Sequence, residues 1–222
     1  MPTSPSLKTS LAFLDDLSRH NNKAWFDAHR PAYEAARGAF EQFIDGLIDV
    51  FRASDDLRDL RAKDCLARIY RDVRFARDKS PYKTNFGALV APGGWKTTAH
   101  GYYLSLQPHG QSMVAGGLYA PTPKQLDQFR QAIHTNPAPF KKLIRAKAFV
   151  DAFGTVEGER LKTAPKGYDR EHPELALLQL KQITVIHRFT DREVLAPDFA
   201  RQAVAQCRAM RPFLNYLRDT VE

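Results

Sequence analysis

Apolar residues recur at intervals of three and four near the beginning of the chain. The clearest run lies in residues 33–51, where the opposite face is polar, so this segment is predicted to be an amphipathic helix. The same spacing predicts an earlier helix from Leu7 to Leu17. Asn22 is suited to cap a short second helix, and Pro31 is suited to the first turn of the third.

The middle of the chain shows the two-residue alternation of β-strands. Residues 101–107 and 111–119 alternate on either side of a turn and predict a β-hairpin. Residues 86–91 and 182–189 have the apolar or β-branched content of two further strands. Residues 66–70 are expected to form another strand, which gives way to a loop.

Helical spacing returns after the hairpin. Pro123 lies at the beginning of one helix, and Asp191 is expected to form a turn before the last helix. That helix is predicted to begin at Pro197, and Pro212 is expected to kink or restart it.

Helices at both ends, with strands concentrated in the middle, indicate an α+β fold. The expected architecture is a mostly antiparallel central sheet covered by the N-terminal and C-terminal helices. Hydrophobic residues make up 43% of the chain and charged residues 26%, and these ordinary values exclude extended disorder. We expect a single domain over residues 1–222, in which residues 1–6 form a flexible leader.

Positive charge is concentrated in one stretch of this pattern. The chain has a formal net charge of +8, and residues 61–83 hold eight basic and three acidic side chains, a formal +5. Such a cluster produces a local potential that attracts anions, whereas evenly spread charge mainly favours solubility. The stretch is therefore the candidate site of the protein.

Arginine dominates this stretch, and its planar guanidinium group suits bidentate contacts to phosphate or carboxylate. The first hypothesis is that the stretch binds an anionic small molecule carrying one of these groups, with Tyr82 donating a hydrogen bond. The sequence does not decide whether a reaction follows binding, nor the oligomeric state. The candidate ligand-binding residues are Arg68, Arg71, Asp72, Arg74, Lys79, Tyr82 and Lys83.

The acidic residues of the stretch have two interpretations. Asp72 and Asp78 either neutralise and orient the neighbouring arginines, or one of them acts as a general base beside a bound substrate. We favour the first interpretation, because carboxylates among arginines have lowered pKa values and are poor bases.

Two alternatives to a small-molecule site remain open. The same cations could bind nucleic acid without sequence preference, together with Lys141, Lys142 and exposed aromatic residues. In the other alternative, Arg71 and Arg74 pair with carboxylates or backbone carbonyls and serve only as a structural network.

Other chemistry finds little support in the sequence. The seven histidines show no metal-binding spacing, and residues 93–97 lack the spacing of a phosphate loop, so we expect neither metal nor cofactor. Cys65 and Cys207 are expected to be reduced thiols, with a reactive Cys65 as the less favoured option. No apolar stretch reaches the ~20 residues that span a bilayer, so we expect a cytoplasmic protein without a membrane partner.

The basic stretch also resembles a known motif. Its pattern Arg68-x-x-Arg71-Asp72-x-Arg74-Phe75-x-x-Asp78-Lys79-x-x-Tyr82 is similar to the signature of a bacterial family of conserved hypothetical proteins, a domain of unknown function. The resemblance implies membership of that family over nearly the whole chain, and it brings no activity, cofactor or partner with it. Further similar segments are Trp25-Phe26, Gly101-Tyr102-Tyr103, Gly116-Gly117-Leu118-Tyr119, Pro165-Lys166-Gly167-Tyr168-Asp169 and His172-Pro173.

Overall fold

A computed structural model describes residues 6–52, 54–57, 59–97 and 100–221. Of the predicted flexible leader, residues 1–5 lie outside the described part of the chain. The described helices are α1 (Lys8–Arg19), α2 (Lys23–Ala28), α3 (Arg30–Phe51), α4 (Ala62–Cys65), α5 (Pro123–Thr135), α6 (Ala138–Arg145), α7 (Lys147–Phe153), α8 (Leu175–Leu178), α9 (Asp191–Val194) and α10 (Phe199–Val221). The described strands are β1 (Phe86–Val90), β2 (Tyr102–Leu106), β3 (Ser112–Leu118) and β4 (Ile183–Phe189).

The strands form one antiparallel sheet in the order β1-β2-β3-β4. In the register of the first pair, Ala88 lies opposite Leu104 and Val90 opposite Tyr102. The predicted hairpin is confirmed as β2 and β3, and the two further predicted strands as β1 and β4. The α+β class with an antiparallel sheet is therefore confirmed.

The chain divides into two compact units. Unit 1 contains residues 1–114 and 188–205, and unit 2 contains residues 115–187 and 206–222. The expectation of a single domain over residues 1–222 stays a prediction.

The core of unit 1 forms where helices α1 and α3 meet strand β1. The hydroxyl of Ser10 on α1 donates to the carbonyl of Ala36 on α3 over 2.6 Å, which satisfies a buried polar group where the helices touch. The ring of Phe86 in β1 stacks with the rings of Phe13 and Phe40, at centroid distances of 6.3 and 5.9 Å. This aromatic core supports the segment that precedes β1, where the basic stretch lies.

The core of unit 2 contains a buried arginine. Arg130 on α5 donates from Nε to the carbonyl of Leu178 over 2.9 Å and from Nη2 to that of Leu180 over 3.3 Å. Phe129 packs edge-on against Phe140 of α6 with ring centroids 5.3 Å apart. The guanidinium group thereby supplies donors to the carbonyl of the last residue of the short helix α8 and to a carbonyl just after the helix.

The prediction of a strand over residues 66–70 is wrong. This segment contains only two isolated bridges, from Leu66 to Ala88 and from Tyr70 to Tyr82. Its alternation of charged and apolar residues resembles a strand, but its backbone groups pair with two different segments instead of one continuous neighbour. The segment therefore closes a loop and does not extend the sheet.

Two expectations for the C-terminal part also change. Asp191 begins the short helix α9, which Thr190 and Glu193 cap reciprocally through side chain and backbone. Helix α10 continues through Pro212, so the expected restart is wrong, while a kink at this residue stays a prediction. A proline removes a single intrahelical donor, and the packed apolar face of a 23-residue helix can offset that loss.

Candidate anion site

The candidate site begins with a closed loop, residues 71–81, which we name the basic loop. The bridge between Tyr70 and Tyr82 joins its two ends, and the amide of Arg71 donates to the carbonyl of Pro81 over 2.9 Å. Loops whose ends meet in this way hold their shape with their own side chains and are frequently functional.

Tyr82 anchors the loop to the core of unit 1. Its ring is 3% exposed and stacks on Phe26 with ring centroids 4.0 Å apart. The side-chain amide of Asn21 clamps the backbone of Tyr82, accepting from its nitrogen over 3.1 Å and donating to its oxygen over 3.0 Å. Burial raises the pKa of Tyr82, so its hydroxyl stays protonated at neutral pH.

Arg71 and Asp78 brace the base of the loop. The Nη1 of Arg71 donates to the carboxylate of Asp78 and, over 3.2 Å, to the carbonyl of Ser80. Asp78 also accepts from the hydroxyl of Ser80 over 2.6 Å and from its amide over 2.9 Å. These donors, first those of Ser80 and then Arg71, hold the pKa of Asp78 far below its usual range. A carboxylate with so low a pKa is a poor general base, which supports its interpretation as a partner of arginine.

Arg74, Asp72 and Lys79 brace the outer part of the loop. Arg74 grips Asp72 with two contacts, Nε to Oδ1 over 3.0 Å and Nη2 to Oδ2 over 2.6 Å, and this guanidinium group lowers the pKa of Asp72. The ammonium group of Lys79 donates to the carbonyl of Val73 over 2.9 Å. All three predicted site residues thus bond to the loop itself, and none lines either of the two clefts described below.

Arg68 and Lys83 lie outside this network and line an open cleft of about 1100 Å³. Arg68 is exposed, and no described residue forms a hydrogen bond or an ion pair with its side chain. The ammonium group of Lys83 lies 5.8 Å from the ring centroid of Trp95. Burial, and to a smaller extent the positive charge of Arg68, lower the pKa of Lys83. Two cations therefore face the same cleft at some electrostatic cost.

The rest of the cleft carries charges of both signs. Lys63 and Lys96 add two cations, and three carboxylates face the same space. These carboxylates bring the net charge of the cleft close to zero. The arrangement of the charges, and not the net charge alone, would therefore select a ligand. The carboxylates are Asp56, Asp59 and Asp64.

Trp95 and Lys96 are cleft residues that the sequence did not indicate. They lie in a 3₁₀ turn, Gly94–Lys96, that packs against α4. A Cβ on Gly94 would lie 2.4 Å from the carbonyl oxygen of Asp64, and its φ of +63° favours glycine. Only glycine lets the turn approach so closely, and the pair Gly93-Gly94 was the available signal.

A smaller cleft of about 390 Å³ lies at the base of the basic loop. Its lining includes Arg71, Asp78, Tyr82 and Lys83. Arg71 and Asp78 already bond to each other. Lys83 lines both clefts.

The remaining candidate groups line neither of the two clefts. Lys141 of helix α6 pairs with the largely buried Glu174. Cys65 is fully buried, and burial raises its pKa to about 12. Within the described residues, no three histidine, cysteine or acidic side chains gather as metal ligands. No helix in the described ranges is both long and apolar enough to cross a membrane.

Comparison with known proteins gives the following findings. No curated protein and no solved structure matches the chain. A family model described as "Conserved hypothetical protein (DUF2461)" matches residues 9–216, which include the basic loop and every residue that lines the two clefts.

Proposed function

The chain belongs to the DUF2461 family of conserved hypothetical proteins, and we propose that it binds a small molecule bearing a phosphate or carboxylate group. The proposed contacts are Arg68 and Lys83, with Lys63 and Lys96 supplying further positive charge in the same cleft. The observation that carries the proposal is that Arg68 and Lys83 line the same open cleft, and that no carboxylate among the described residues forms a hydrogen bond or an ion pair with either side chain.

The electrostatics of the pair support an anionic ligand. Removing Lys83 from water and placing it near Arg68 both disfavour its charged form, as its lowered pKa indicates. An anion between the two groups would reverse both effects, since it neutralises the repulsion and accepts their hydrogen bonds. Such a cost is common where a protein keeps a binding site at the expense of stability.

The other candidate residues then act as supports. Arg71, Arg74 and Lys79 bond within the basic loop, and the ring of Tyr82 fixes the loop to the core. Lys83 directly follows Tyr82, so its backbone is placed by the same anchor. We therefore assign the ligand to Arg68 and Lys83, and the bracing of the loop to Arg71, Arg74 and Lys79.

We propose that the protein binds this ligand, and we propose no reaction. No general base is assigned, because the pKa values of Asp72 and Asp78 are both lowered. We also propose a cytoplasmic location. The thiol of Cys65, which forms no disulfide among the described residues, supports it, because cytosolic reductants keep thiols reduced.

The test is thermal melting at constant ionic strength against inorganic phosphate, nucleotides, sugar phosphates and dicarboxylates. A ligand at about 100 times its Kd stabilises the folded state by about 2.7 kcal/mol, which raises the melting temperature by several degrees. We expect Arg68→Gln and Lys83→Gln to lose this shift. Arg74→Gln removes the same charge outside the cleft and should keep it.

The melting temperatures of the variants without ligand distinguish a binding role of these cations from a structural one. Lys83→Met should melt at or above the temperature of the wild type, because it removes a desolvated cation beside Arg68. If no anion shifts the wild type while Arg68→Gln and Lys83→Met both melt far lower, these two cations are structural and the proposal is wrong.

A further inference from the structure

A large aromatic side chain stands uncovered in the basic loop. Phe75 is 97% exposed, more than any other large apolar residue described. A phenylalanine ring gains free energy when it leaves water, so its full exposure forgoes a stabilisation that a buried position would provide.

The backbone on both sides of Phe75 is held by hydrogen bonds, and on the C-terminal side the amide of Ala76 donates to the carbonyl of Val73 over 3.3 Å. The ammonium group of Lys79 donates to the carbonyls of Val73 and Arg74 over 2.9 and 3.4 Å. The amide of Arg74 also donates to Asp72 over 3.3 Å. Phe75 is therefore presented to solvent by a braced loop, which lowers the entropy cost of ordering it against a partner.

The charge around Phe75 is positive. Asp72 and Asp78 are neutralised by Arg74 and Arg71. Arg77 is exposed and has no hydrogen bond or ion pair with any described residue. Among the residues that the structure describes, the ammonium group of Lys79 bonds only to backbone carbonyls, so no described carboxylate compensates its charge.

We propose that the basic loop binds single-stranded nucleic acid, with Phe75 stacking on an unpaired base and Arg77 and Lys79 contacting the phosphates. An aromatic ring beside cations is the combination that binds single strands without sequence preference. A duplex would not offer the face of a base to the ring. The site is distinct from the cleft, because neither Phe75 nor Arg77 lines it.

The alternative occupants fit the loop less well. Insertion into an anionic bilayer draws on a larger apolar surface, whereas the residues around Phe75 are charged. The cations Arg77 and Lys79 lie within four residues of Phe75 in the chain, so a strand whose base stacks on the ring can bring its phosphates to them.

Fluorescence anisotropy with a labelled oligothymidylate of about 15 nucleotides tests the proposal. We expect the wild type to bind this strand more tightly than a duplex of equal length. Phe75→Ala should weaken binding by about 5- to 100-fold, and Phe75→Trp should restore it. Tyr119→Ala is the matched control, since Tyr119 is 75% exposed and lies outside the loop, and it should change affinity less than twofold.

The salt dependence separates stacking from charge. Arg77→Gln should reduce the slope of log affinity against log salt by about 0.7, while Phe75→Ala should leave the slope unchanged. Because Phe75 makes almost no contact within the chain, Phe75→Ala should melt like the wild type. A weakened variant is therefore not an unfolded one.

Three results would overturn the proposal. The first is equal affinity of the wild type and Phe75→Ala for the oligothymidylate. The second is binding to the duplex at least as tight as to the single strand. The third is binding to phosphatidylserine vesicles that depends on Phe75 while the oligothymidylate does not bind.

Discussion

The cations of the basic stretch differ in what they contact. Arg71, Arg74 and Lys79 bond to neighbouring carboxylates or carbonyls, whereas Arg68 faces a cleft and forms no hydrogen bond or ion pair with any residue in the described part of the chain. These residues look alike in the sequence, since each is a cation in the same short stretch. The contacts of each side chain decide whether it braces the loop or is available to a ligand.

Cys65 yields a prediction at the scale of the single residue. Burial first, and then the charges of Asp64 and Asp45, raise its pKa to about 12. At pH 8 only about one thiol in ten thousand would then be ionised, and the thiolate is the reactive form. We expect a thiol reagent such as dithionitrobenzoate to leave Cys65 unmodified in the native protein.

Unfolding supplies the control for this prediction. Cys207 is also fully buried, so both cysteines should react in guanidinium chloride and neither before it. Rapid labelling of Cys65 in the native state, located by peptide mass spectrometry, would contradict the prediction and restore the option of a reactive thiol.

At the scale of the element, strongly periodic segments were predicted well. Helix α3 and the β2–β3 hairpin follow the apolar pattern of their residues, because one face of each packs in a core. The strand predicted over residues 66–70 is wrong, because a short alternation of charged and apolar residues also occurs in loops. This loop segment makes isolated bridges to two different segments of the chain. The sequence does not show which neighbouring segment will offer backbone groups for residues 66–70 to pair with.

Pro212 yields a prediction at this scale. It lies inside α10 at an exposed position and removes the donor for the carbonyl four residues earlier. Pro212→Ala restores that donor, so we expect the free energy of unfolding to rise by about 1–3 kcal/mol. Urea denaturation measures the change.

An exposed position in the same helix serves as the reference. Ala205→Gly should lower the free energy of unfolding by about 1 kcal/mol, the usual cost of glycine in a helix. If Pro212→Ala lowers it as well, the packing of α10 requires the geometry that proline imposes, and the prediction fails.

At the scale of the whole molecule, three elements belong to both compact units. Strands β3 and β4 and helix α10 each contribute residues to unit 1 and to unit 2. Neither unit is one continuous segment of the chain. Unfolding one unit alone would interrupt each of these elements within its length and break its regular hydrogen bonding.

We therefore expect a single cooperative unfolding transition. The calorimetric enthalpy should equal the van't Hoff enthalpy, at about 150 kcal/mol near 60 °C for a chain of this length. Scanning calorimetry measures both, and the far-UV and near-UV circular dichroism signals should change together. Two separated transitions would instead show that the units unfold independently and that the single-domain prediction is wrong.

The sequence by itself determined the fold class, most helices and strands, and the stretch that carries the positive charge. These follow from periodicity and composition, which act between residues close in the chain. Only the tertiary structure decided that Trp95 and Lys96 join Arg68 and Lys83 at one cleft, and that Phe75 stands uncovered. Such placements depend on contacts between segments distant in sequence and on the close approach that Gly94 allows, and no local pattern specifies them.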